Sequence, residues 1–178
     1  MSILKFLGFG EAGGRGQAAP SSAETESVRE IIRALDRLEP DRARFLAAFA
    51  YILGRVARAD LAISETEAGE MERLLVEQGG LTPEQAILVV QMTKTQNVLF
   101  GGTENYLVTR EFNRIASHDQ KLALLQCLFS VSASDDSISV VEDNEIRRIA
   151  SELRLTHADF IKSRSAWRDH LAVLKKRR

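Results

Sequence analysis

"RVARADLAISETEAGEMERLL" (residues 55–75) and "SVSASDDSISVVEDNEIRRIA" (residues 130–150) decide the fold of this chain. Each leaves an apolar run and meets an aspartate, Asp60 or Asp135. Each then gives Ile-Ser, with a glutamate three residues past the serine: Ser64 with Glu67, and Ser139 with Glu142. The S-x-x-E spacing marks a helix start. The serine hydroxyl accepts from the backbone N–H three residues on, and the glutamate reaches back to the serine N–H. Apolar residues then recur at helical steps, as Met71, Leu74 and Leu75 and as Ile146 and Ile149. Both stretches therefore predict a helix, an acidic turn and a second, amphipathic helix.

A shift of 75 residues superposes the two. Asp60 falls on Asp135, Ile63 on Ile138, Ser64 on Ser139, Glu67 on Glu142 and Glu70 on Glu145. After a one-residue slip, Leu81-Thr82 falls on Leu155-Thr156. A duplicated helical hairpin is the simplest origin, and such a pair is expected to bury one shared core.

The flanking sequence extends the helical pattern. "ETESVREIIRALDRLE" (24–39) repeats apolar residues at three- and four-residue steps, and Pro40 breaks it. "RARFLAAFAYILGRVARA" (42–59) is apolar on most sides and predicts a central helix. "QGGLTPEQ" ends one helix on glycines and starts the next with Thr82 as cap and Pro83 in its first turn; that helix should run to about residue 98. Leu107, Phe112 and Ile115 are candidate core in the following helix, and Ser117 with Gln120 caps another. The sequence from 163 to the end keeps a helical pattern in Trp167, Leu171 and Leu174. No stretch holds a strand pattern. The expectation is an all-α protein, a single bundle of seven to eight helices with an internal duplication of helical hairpins. Its domain spans residues 24–174, between a flexible N-terminal arm at 1–23 and a basic tail at 175–178. Phe45, Phe49, Ile52, Val56, Leu74, Leu124, Leu128 and Ile149 should be core.

Composition narrows function. Twenty-four Lys and Arg against twenty-five Asp and Glu leave a net charge of -1, which gives no case for nucleic acid as the main partner. A single cysteine, Cys127, excludes an internal disulfide and reads as a buried apolar residue. No run is long enough to span a membrane and no signal-peptide pattern opens the chain, so the cytoplasm is expected, with weak peripheral membrane contact left open for the arm. No P-loop, dinucleotide fingerprint or nucleophile elbow is present, which argues against an enzyme.

The two acidic junctions, each after an apolar helix, resemble the TerB-like domain, the all-helical family named from tellurite-resistance proteins, over about residues 40 to 162. The resemblance implies a functional Asp in each junction and a Glu in the helix after it: Asp60 and Glu67, then Asp135 and Glu142. It further implies a metal site and a link to tellurite or stress response, with no established reaction. Leu61 and Ala62 depart from the small residue or glycine that the family carries after its first Asp.

The same four carboxylates admit two readings. As caps and turn acceptors they need no ligand. Facing one another across a pseudo-twofold, they would form a cleft for calcium, magnesium or manganese, and His118 or His157 would tilt it toward zinc. Neither junction is an EF-hand, since position 6 is Glu65 in one loop and Val140 in the other. Three functions remain: a metal-binding stress-response domain, a metal-free module that docks a protein partner between its halves, and, least favoured, a metal-dependent enzyme.

Overall fold

Pro40 and Asp41 open the first well-defined helix, α1 (Pro40–Ala57). Proline has no N–H to lose in a first turn, and a carboxylate there suits the helix dipole. Every residue of α1 from Leu46 to Ala57 is buried. A helix that is apolar on all sides must lie inside the bundle, and α1 packs against five others. The computed structural model describes residues 30, 31, 33–59, 63–96 and 102–175. The expected N-terminal arm and Asp60 lie outside them, as does the tail beyond Lys175.

After α1 come α2 (Glu65–Glu77), α3 (Pro83–Gln96), α4 (Gly102–Ile115), α5 (His118–Ala133), α6 (Val140–Glu152) and α7 (His157–Ser165). A 3₁₀ turn, Arg168–His170, and a short helix, α8 (Ala172–Lys175), follow. Residues 30, 31 and 33–36 are also helical, ahead of α1. The protein is all-α and forms one domain around one core.

Five of these helices begin with the reciprocal cap that the sequence marks. Ser64 with Glu67, Ser117 with Gln120, Ser139 with Glu142 and Thr156 with Asp159 form complete capping boxes. Thr82 and Gln85 exchange the same two bonds at the start of α3. Helix ends match as well. Gly80 has φ +65°, and Arg154 has φ +58° at the equivalent place, each directly before a Leu-Thr pair. Gly79 is required on steric grounds. A Cβ there would lie 2.5 Å from the Leu75 carbonyl oxygen and 2.8 Å from the Leu46 side chain.

The core is largely the expected one. Phe49, Ile52, Val56, Leu74, Leu124, Leu128 and Ile149 are buried. Phe45 is half-buried, stacked on Phe49 and tilted against Phe112 at 5.0 Å. Phe112 is fully buried, but Leu107 is exposed and Ile115 only partly covered. The C-terminal stretch departs from a continuous helix. The Ile138 N–H donates to the His170 carbonyl at 2.8 Å, and the Ala172 N–H donates to the Ile138 carbonyl at 3.0 Å. This bridge holds residue 171 extended and splits the periodic run into two short turns, so Leu171 is buried while Leu174 is exposed. Periodicity could not show it, because the Ile138 backbone groups come from far away in sequence.

The central pair is α1 and α5, the long apolar helix of each repeat. α1 packs on α2 and α3 of its own repeat and on α6 of the other; α5 packs on α6 and α7 of its own and on α2 of the other. α4 lies against α1 and α6.

Candidate functional site

The exchange of partners between repeats reaches individual side chains. Arg55 at the end of α1 donates from Nε to Glu145 on α6 at 2.5 Å. Position 55 corresponds to Ser130, and Glu145 to Glu70. Ser130 on α5 donates to Glu70 on α2 at 2.5 Å. The two contacts are one contact made twice, each time from the first helix of one repeat to the second helix of the other.

Arg55 does more than its counterpart. Its guanidinium forms paired bonds with Glu152 at 2.7 and 3.0 Å and donates to Thr109 at 3.0 Å. Burial disfavours its charge. The hydrogen bond to Glu152, the neighbouring charges of Glu145 and Glu152 and the bond to Glu145 outweigh that and raise its pKa, so it stays cationic. Glu70 shifts the other way. The hydrogen bond from Arg73 lowers its pKa, burial opposes this, and the Ser130 hydroxyl adds to the lowering.

The acidic junctions divide the four candidate carboxylates. Glu67 and Glu142 are buried, 5% and 4% exposed, and each accepts from its capping serine's N–H at 2.8 Å. Asp135 is exposed, in the turn after α5, and accepts a hydrogen bond from the Thr66 hydroxyl. Thr66 belongs to the first junction, between Ser64 and Glu67, and its hydroxyl lies 3.0 Å from that of Ser64. The acid of the second junction thus touches the cap of the first. Asp60 lies outside the described residues.

The neighbouring carboxylates are held by cations. Asp143 forms a paired ion bridge with Arg164 at 2.8 Å, and Glu70 bonds Arg73. Among the described residues, no group of three or more His, Cys, Asp or Glu is arranged to hold a metal ion. The histidines do not belong to the junctions. His118 starts α5 and Asp135 follows its end, about 24 Å away at ~1.5 Å per residue over sixteen residues. His157 stands similarly beyond the far end of α6 from Glu142. At helix length, His118 stands well away from Asp135 and His157 well away from Glu142.

Cys127 is buried beside α2, and its burial pushes the thiol up to about 12, so it is protonated and unreactive at neutral pH. No helix among the described residues is long and apolar enough to cross a membrane.

Sequence reasoning missed Thr66 as the partner of Asp135, and Arg55 and Ser130 as partners of the helices that follow the junctions. Arg55 carried a signal, a charge within the long apolar run of α1 that must find a counter-ion. Thr66 carried none, because its partner is 69 residues away.

The arrangement defines a single-domain all-helical protein packed around a central helix pair. The family of the tellurite resistance protein TerB matches the chain over residues 46–165, and the chain belongs to that family. No curated protein and no solved structure matches it.

Proposed function

We propose that this chain is a non-catalytic TerB-family domain that acts as a metal-free protein-interaction module in a tellurite or stress response in the cytoplasm. The observation that carries the reading is the engagement of carboxylates on α2 and α6, the helices that follow the junctions. Glu67 and Glu142 are buried caps, while Glu145 and Glu152 neutralise Arg55. A carboxylate that closes a helix end has lost much of its freedom to move onto an ion. The halves arose, in this reading, by duplication of a helical hairpin; the reciprocal Arg55–Glu145 and Ser130–Glu70 contacts support it. Thermal melting of chelator-stripped protein with calcium, magnesium, manganese and zinc is the test. A melting point unmoved by all four is the expected result, since an ion that binds only the folded state raises it by mass action.

One observation favours a second reading, a divalent cation held by Asp60, Glu67, Asp135 and Glu142. Asp135 reaches the first junction, and the Ser64 and Thr66 hydroxyls add oxygen donors beside it. All-oxygen donors suit calcium, magnesium or manganese. A saturable rise in the melting point that Asp135→Asn abolishes would establish this reading in place of the first.

A further inference from the structure

An open cleft of about 490 Å³ lies between the start of α1, the end of α4 and the start of α5, and so between the two halves. Asp41, Arg42, Arg44, Phe45, Arg114 and Ile115 line it, together with Gln120. A second hollow of about 520 Å³ shares Arg114 and adds Arg110, Glu111, Asn113 and Arg154. The two hollows meet at Arg114 and are together termed the furrow. Five arginines face two carboxylates, an excess of three positive charges (5 − 2 = 3) on a protein whose net charge is -1. Charge segregated in this way sets up a local field that the total conceals.

The carboxylates do not neutralise the furrow. Glu111 is taken by Arg114, at 2.7 and 3.1 Å, and Asp41 meets Arg44 only at 3.4 Å. Arg42 is fixed by carbonyl groups, donating to those of Gly79 and Gly80 at 3.2 and 3.1 Å. Those bonds orient the guanidinium and leave its charge uncancelled. Arg110 and Arg154 form no ion pair among the described residues.

We propose that this furrow docks an acidic, carboxylate-bearing segment of a protein partner. The inference rests on the interaction-module reading and names the chemistry of the partner. Arginine forks match carboxylates in paired geometry. Phe45 and Ile115 give the floor an apolar element between them, as a peptide with interspersed aliphatic residues requires. Nucleic acid fits less well. The Phe45 ring packs against Phe49 and Phe112, which limits the face it can offer to a stacking base.

Fluorescence anisotropy with the full chain tests this, using a labelled Glu-Leu-Glu-Glu-Leu-Glu peptide, its lysine counterpart and a labelled oligothymidine. The acidic peptide should bind, and added salt should weaken it. Arg44→Gln, Arg110→Gln and Arg154→Gln should each weaken it roughly two- to fivefold, as loss of one exposed charge contact does. Arg148→Gln, an exposed arginine away from the furrow, should leave it unchanged. The proposal is overturned by lack of binding, by equal loss in Arg148→Gln, or by tighter binding of oligothymidine with the same arginine dependence. If the peptide fails while the melt stays indifferent to cations, the furrow assignment falls and the module reading stands. If cations raise the melt, the module reading itself falls.

Discussion

Arg55 concentrates the residue-scale argument. It is 7% exposed, the one charged residue in the buried stretch Leu46–Ala57, and it satisfies Glu145, Glu152 and Thr109 at once. Replacing a buried ion cluster wholesale can be nearly neutral, whereas removing one partner leaves the others buried and uncompensated. Arg55→Met should therefore cost roughly 3–5 kcal/mol in urea unfolding at neutral pH. Adding Glu145→Gln and Glu152→Gln to that variant should recover part of the loss. A single variant as stable as the wild type would show that the cluster contributes nothing net. Burial of Phe49 and exposure of Leu107 make a related point. Helical spacing showed which positions share a face, but exposure depends on which neighbour covers that face, and among the described residues α4 packs on α1 and α6.

At the scale of elements, the caps were the most legible feature of the sequence, because a capping box is a local transaction between four consecutive residues. All of those read from the sequence are formed. Ser139→Ala removes the acceptor for the Glu142 N–H and should destabilise by about 1 kcal/mol, while Ser139→Asn should lose far less. Differential scanning of the two variants checks this, and equal melting points would contradict it. The candidate site was less legible for the opposite reason. The sequence placed Asp135 in a turn beside a cap, yet its bond to Thr66 arises from the packing of α5 on α2. No spacing rule reports a partner on another helix. The 75-residue repeat came closest, since it showed which positions were equivalent and left only their mutual orientation open.

Across the whole molecule, the contacts between halves respond to acid. Glu70 joins α2 to α5 through Ser130, and its pKa is lowered, chiefly by the hydrogen bond from Arg73. A carboxylate depressed in the folded state adds stability that is fully present above its unfolded value, about 4.3, and is lost as pH falls through the folded value. Urea midpoints should accordingly drop between about pH 4.5 and the acid limit. Glu70→Gln should flatten that part of the curve, and an unaltered slope would remove Glu70 from the account.

The reciprocal contacts also bear on how many chains make one folded unit. α1 needs α6, and α5 needs α2, so neither repeat is closed by its own helices. A molecule opened between α3 and α4 would offer a second opened molecule the very surfaces it has just released. Each chain's first repeat could then clasp the other chain's second, giving a domain-swapped dimer with no contact that the monomer lacks. The bonds that hold the monomer together are thus also a template for trading halves.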